Sequence, residues 1–277
     1  MAYRRPIPGS NKRCWRVSPG EAHMEQALGK PEFRQILGIK FFVGEAQGAI
    51  DYLWSGGLLV VPAAPALKNL SVDEGYREAL LGADLVITDS ALMVMVWNLL
   101  QRDNIRRLSG LEYLFKLLNC SDFRKDRRSF WIMASPASAA TNLDWIRQQG
   151  INVAEEDVYI APKYGPVIQD EVLLERIRIR SPTDIIVTIG GGTQERLGLY
   201  LKRHLKPVPA IHCIGAAIAF LSGDQVHIPM WADRIYLGWL FRCFSEPKRY
   251  VPRYWEARKL VGLMFRYRGH LPLPSAH

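Results

Sequence analysis

The sequence predicts an α/β fold, a Rossmann-like sheet with helices on both faces, followed by a basic, aromatic C-terminal helical appendage. Three observations predict it. Short β-branched or apolar runs alternate with helical patterns through the middle of the chain. The 277 residues are 48% hydrophobic and 23% charged, enough apolar side chain for one sizeable core. Beyond residue 228 the alternation ends, and arginines interleave with Trp, Tyr, Phe and Met.

Residues 1–35 read as a polar, basic lead-in, with five Lys/Arg and no acid in residues 1–16. That segment has the charge of a secretory signal but no apolar h-region, so secretion is not expected. Strands are expected at 57–63 (GLLVVPA), 84–88 (DLVIT), 129–135 (SFWIMAS), 157–161 (DVYIA), 184–190 (DIIVTIG) and 210–215 (AIHCIG). Helical periodicity falls between them, near 72–82, 90–101, 109–118, 139–149, 169–179 and 193–204. In MWADRIYLGWLFRCFSEP, Trp231, Ile235, Trp239 and Leu240 stand at helical spacing, and Pro247 is expected to stop that helix. The α/β domain is therefore expected over 36–228 and a separate appendage over 229–277. The long uncharged stretch YLWSGGLLVVPAAPAL is too short to span a bilayer and holds two prolines.

The net charge of +9 is concentrated at the two ends: from Arg242 to Arg268 eight Lys/Arg face only Glu246 and Glu256. Three readings of this tail stay open. It is a nucleic-acid surface, or an interfacial segment that sinks Leu260, Val261, Leu263, Met264 and Phe265 into the headgroup boundary while its arginines meet anionic lipid, or a helix packed on its own domain with solvated arginines. The four cysteines, Cys14, Cys120, Cys213 and Cys243, show no CxxC pair and no ligand spacing with histidine, and read as reduced structural thiols. No metal-binding pattern and no GxSxG occurs, which removes the hydrolase reading.

In a doubly wound sheet the ligand lies beyond the carboxyl ends of the strands. IGGGTQERLG places Gly190, Gly191 and Gly192 there, with Thr193 as the expected N-cap of the following helix. Such a turn either brings backbone N–H groups to an anion at a helix start or is a tight connection with no ligand. It is not a dinucleotide fingerprint, since Glu195 stands where the third glycine belongs and His212 where the ribose-binding acid belongs. Asp89 ends another strand at the same rim, as a general base for a substrate hydroxyl or as an ordinary helix cap. His212, mid-strand, reads as a core residue, and Glu155, Glu156 and Asp157 as a solvated turn.

DIIVTIGGGTQE, IHCIGAAIAFLSG and IPMWADRIYLGWLFRCFSEPKR resemble, in order and spacing, the C-terminal half of the WecG/TagA/CpsF family of bacterial glycosyltransferases. The resemblance extends upstream through RRLSGLEYL and ADLVITDSALMV to GIKFFVGEAQGAIDYL, about residues 38 to 254. It implies an inverting transfer of a sugar from a nucleotide-diphosphate donor, UDP-linked, to a polyprenyl-diphosphate-linked sugar in surface polysaccharide synthesis, without a cofactor or metal. It also implies a cytoplasmic protein held peripherally at the anionic inner-leaflet surface, no nucleic-acid partner, and leaves a homo-oligomer open. By resemblance Asp89 is the base, Gln194 and Glu195 flank the donor beside the glycines, and Arg242, Arg249 and Arg253 hold diphosphate charge. Three departures stand out: Pro62, Ala63 and Ala64 replace a Thr-x-Asn element, Ser90 replaces a glycine after Asp89, and Ala219 replaces an acid. These leave a non-catalytic precursor-binding protein of the same fold as the alternative.

Overall fold

The computed structural model describes residues 31–225 and 228–274, without the side chains of Met230, Arg234 and Arg249. The chain opens with a hairpin, β1 (Glu32–Ile36) and β2 (Ile39–Val43), paired antiparallel. This corrects the reading of residues up to 35 as lead-in; residues 1–30, with Cys14, lie outside the described residues. There follow α1 (Ala46–Leu53), β3 (Gly57–Val60), α2 (Ala64–Leu67), α3 (Glu74–Leu81), β4 (Leu85–Ile87), α4 (Ala91–Gln101), α5 (Gly110–Leu118) and α6 (Ser121–Asp126). The second half continues with β5 (Ser129–Met133), α7 (Pro136–Gln148), β6 (Val158–Ile160), α8 (Glu171–Arg180), β7 (Asp184–Val187), α9 (Thr193–His204), β8 (Ala210–Cys213) and α10 (Ala217–Ser222). All six strands expected from the sequence are present.

The eight strands form one sheet in the order β1-β2-β4-β3-β8-β7-β5-β6, parallel except for the hairpin. Both faces are buried, which is why the central strands read as continuous apolar runs. Leu58, Val60, Ile185 and Val187 pack on one side with α3, α4, α8 and α9, while Leu59, Val61 and Ile186 pack on the other with α1, α5, α7 and α10. Adjacent strands β3 and β8 thus send their helices to opposite faces, opening a crevice at their carboxyl ends. Gly198 in α9 lets that helix settle on the sheet: a Cβ there would lie 2.5 Å from Cys213 Sγ and 2.6 Å from Leu58 Cδ1.

The C-terminal region is α11 (Met230–Arg234), α12 (Gly238–Ser245), α13 (Pro247–Ala257) and α14 (Lys259–Tyr267). Pro247 does not simply end a helix; it occupies the first turn of α13, where its missing N–H costs nothing. Pro252 lies inside α13, and the helix continues past it. Nor is the region wholly separate. Leu260 and Met264 are 0% exposed within the main core, and Leu37 and Gly38 donate to the carbonyls of Arg268 and Gly269 at 2.7 and 3.0 Å. The reading of Leu260 and Met264 as sunk in lipid is therefore corrected, because both are buried in the protein's own core, while Phe265 is exposed.

His212 is a satisfied core residue, its ring nitrogens 2.8 Å from Tyr113 Oη and 3.1 Å from Asp184 Oδ1. Asp184 also takes Arg127 at 2.6 and 3.0 Å, which together with His212 holds its carboxyl below the usual range despite burial. Cys213 and Cys243 are free, whereas Cys120 takes part in a disulfide, so the expectation of reduced thiols fails at that position.

Candidate active site

At the end of β4, Thr88 Oγ1 donates to the Arg106 carbonyl at 3.0 Å and accepts from Leu108 N at 2.9 Å, pinning the segment before α5 against the strand. Asp89 and Ser90 then part ways. Ser90 caps α4 through Met93 N, at 3.2 Å. Asp89 makes no cap there; its Oδ1 accepts from Gly110 N, the first residue of α5, at 3.0 Å. Its side chain keeps 21% exposure. Burial pushes the Asp89 carboxyl above its ordinary range, nearby Asp233 adds to the rise, and Arg107, the Gly110 N–H and Arg242 oppose it.

Arg107 is the centre of this corner. Its Nε donates to the Asp89 carbonyl at 2.5 Å, Nη1 to the Asp233 carbonyl and Oδ1 at 2.8 and 3.0 Å, and Nη2 to Asp233 Oδ1 at 3.1 Å and Asp89 Oδ1 at 3.4 Å. Asp233 Oδ2 accepts from Ser109 Oγ, the cap of α5, in a short hydrogen bond. Helix α11 is thereby tied to the strand end that carries Asp89. Between α11 and α12, Tyr236 adopts φ of +67°, a conformation costly for a residue with a Cβ. Together with Arg106, Arg107, Glu112 and Asp233 it lines a cavity of about 180 Å³.

From α12, Arg242 stacks its guanidinium 4.2 Å from the Phe220 ring centroid and donates from Nη1 to Tyr254 Oη at 3.2 Å. Its Nε is buried and has no partner among the described residues. Arg242 and Tyr254 both lie within electrostatic reach of Asp89.

The glycine turn lies after β7. Gly192, at φ of +92°, is the N-cap of α9, and Thr193 is its first helical residue, a one-position correction of the expected cap. A Cβ at Gly190, Gly191 or Gly192 would meet nothing within 4 Å, so the turn faces open space and not a packed neighbour. Gly191 and Gly192 share a second cavity of about 180 Å³ with Asn69, Asp73, Tyr76, Arg196 and Arg253. Tyr76 is 1% exposed, and its hydroxyl has no partner among the described residues.

Gln194 and Glu195 lie beneath the turn and not in the cavity. Gln194 Oε1 accepts from Gly215 N at 2.6 Å, its Nε2 donates to Glu195 Oε1 at 3.1 Å, and Glu195 Oε2 accepts from Gly192 N at 2.6 Å. Burial pushes the Glu195 carboxyl up to about 7, against the pull of those hydrogen bonds. The two side chains shape the turn and tie it to the end of β8.

The structure thus brings Asp89 together with Arg242, and Gly191 and Gly192 together with Arg253. Gly190 is exposed at the tip of the turn. Arg249 sits in α13 by its backbone, and its side chain lies outside the described residues. Arg107, Asp233, Tyr236, Tyr254, Tyr76 and Arg196 were not singled out from the sequence. Arg107 lay within RRLSGLEYL, but an arginine between two helices reads as a solvated charge until its partners are known.

Residues 34–272 match the glycosyl transferase WecG/TagA/CpsF family. The chain is similar to the N-acetylglucosaminyldiphosphoundecaprenol N-acetyl-beta-D-mannosaminyltransferase of Bacillus spizizenii, 26% identical over 206 residues, 72% of this chain and 77% of that one. It is similar to the protein of the same description from Bacillus subtilis strain 168, 24% identical over 207 residues, again 72% of this chain and 77% of the relative.

Proposed function

We propose, since the chain belongs to the glycosyl transferase WecG/TagA/CpsF family, that it moves an N-acetylhexosaminyl or hexosyl group from a UDP-linked donor to a sugar carried on polyprenyl diphosphate. The relatives' acceptor, N-acetylglucosaminyl-diphosphoundecaprenol by their names, supports the lipid-diphosphate class of acceptor. The observation that carries the reading is Asp89: a strand-end carboxylate relieved of capping α4 by Ser90, raised above its ordinary pKa range by burial, and within electrostatic reach of Arg242, whose buried Nε has no partner among the described residues.

In this reading Asp89 takes the proton from the acceptor hydroxyl as its oxygen attacks the anomeric carbon. The carbon–oxygen bond to the donor diphosphate breaks on the opposite face, so the anomeric configuration inverts. The negative charge leaves on the nucleoside diphosphate. Arg242, Arg253 and Arg196, with the positive end of α9 behind the glycine turn, neutralise it, with no metal ion assigned.

A lipid-borne acceptor requires the rim to meet a membrane. No helix among the described residues is long and apolar enough to cross one. Exposed Trp231, Ile235, Trp239, Phe244, Val251 and Trp255, on or beside α11 to α13, with Lys248 and Arg253, supply an interfacial surface at the anionic inner leaflet. This replaces the stripe on α14 as the docking element.

Incubation with a panel of UDP-sugars and polyprenyl-diphosphate-linked N-acetylglucosamine tests the reading: a lipid-linked disaccharide is expected from at least one donor. Nucleoside-diphosphate binding without turnover on any acceptor would instead favour the precursor-binding alternative, to which the apolar Ala64 and Ala219 point.

A further inference from the structure

All three nitrogens of the Arg107 guanidinium are directed at Asp89 and Asp233, in five contacts. The sharing is unequal. Asp233 receives Nη1 and Nη2 at 3.0 and 3.1 Å, while the Asp89 carboxylate receives Nη2 alone, at 3.4 Å, beyond the usual range for a strong N–H···O bond. Asp233 is fixed for this task, 5% exposed and held through its other oxygen by Ser109.

We propose that Asp233 is a positioning residue for the transfer: it holds the Arg107 guanidinium on α11, so that this cation does not close on Asp89 and occupy the carboxylate that receives the acceptor's proton. The role rests on the reading of Asp89 as the base. Without the Asp233 charge, Arg107 has one carboxylate left to neutralise it, and a bidentate pair with Asp89 follows. Such a pair makes Asp89 a weaker base and covers the lone pairs the acceptor hydroxyl needs. Because Asp233 lies on α11, the base is freed only when the element that crosses the rim is docked.

The other groups facing Asp89 do not reproduce this effect. Arg242 from α12 and Tyr254 from α13 lie within electrostatic reach of Asp89 and bond to each other, the Gly110 N–H comes from α5, and Tyr236 contacts Arg107. Arg106 is paired with Glu112 at 2.6 Å across the cavity.

The test is the pH dependence of kcat and kcat/KM in Asp233→Asn, which keeps the shape and removes the charge. The acid limb is expected to move down by about one pH unit and the plateau rate to fall about tenfold, with KM for both substrates within about twofold. Ser109→Ala, which removes a tether but no charge, should leave the acid limb in place, and Asp233→Glu should restore it. Arg107→Gln should move the limb the opposite way, upward, and reports the same coupling if Asp233→Asn does not fold. An unmoved acid limb in Asp233→Asn, with KM alone raised, would overturn the positioning role. If Asp89→Asn keeps the wild-type rate, it is the reading of Asp89 as base that fails; if Asp89→Asn is inactive while the limb stays put, only the role of Asp233 fails.

Discussion

Asp89 and its neighbour Ser90 divide two tasks that a single strand-end residue would otherwise have to share. Ser90 Oγ takes the Met93 N–H and starts α4, while Asp89 turns to the start of α5 and to Arg107. An aspartate at a strand end is ordinarily consumed as a cap, and the hydroxyl beside it removes that demand.

Ser90→Ala should therefore cost about 1 kcal/mol of stability through the lost cap. Its turnover at a temperature well below the melting transition should stay near wild type. A denaturant titration gives the first quantity and a steady-state assay the second; loss of turnover with unchanged stability would mean that Ser90 belongs to the chemistry.

Glu195 makes stability depend on pH in an unusual direction for a carboxylate. Its folded pKa of about 7 lies above the ordinary 4.5, so the folded state holds the proton more tightly. Its contribution is full below about pH 4.5 and is lost as pH rises to about 7. Glu195→Gln cannot ionise and should remove that loss, at the cost of placing its amide NH2 against a donor, so that its stability relative to wild type rises by up to about 3 kcal/mol on going from low pH to pH 8, at about 1.4 kcal/mol per pKa unit. Unfolding curves at pH 5 and pH 8 decide it: equal differences at the two values contradict the buried-acid account.

The surface proposed to meet lipid and the surface that packs the core are distinct in the C-terminal region. Trp231→Glu with Phe244→Glu should weaken binding to vesicles containing phosphatidylglycerol by about tenfold or more and leave the melting temperature near wild type. Leu260→Ala, at a fully buried position, should instead lower stability by about 2 to 5 kcal/mol. Vesicle co-sedimentation that follows Leu260 and ignores the two aromatic positions would reverse the assignment.

If arginines and the positive end of α9 carry the leaving diphosphate, a chelator should not matter. Turnover in excess EDTA is expected within about twofold of the untreated rate, whereas Arg242→Ala should lower it by about a hundredfold or more, as for loss of a charge-stabilising donor. A rate abolished by EDTA and restored by a divalent cation would contradict the charge assignment.

The parallel core of the fold was legible because strands buried on both faces have to be largely apolar, as GLLV and the last three residues of DIIV are, the exception Asp184 being paired with Arg127 and His212. The β1–β2 hairpin was not, because its edge strand EFRQI alternates exposed charge with apolar residues and its turn is Leu37-Gly38, without the Asn-Gly signature. Within the site, Asp89 and the glycine turn were readable from their place after strands. Arg107 and Asp233 were not: they lie 126 residues apart, and only the crossing of α11 over the rim joins them. Tyr236 gave no signal, since nothing in a tyrosine announces a left-handed backbone.

The most direct test of the central claim is the single-turnover rate of Asp89→Asn with both substrates saturating. Asparagine can still accept from Gly110 N but cannot take a proton at working pH. The expected result is a loss of at least about a hundredfold with nucleoside-diphosphate binding intact. A variant that turns over at the wild-type rate would show that the rim carboxylate is not the base, and the proposed mechanism would fall.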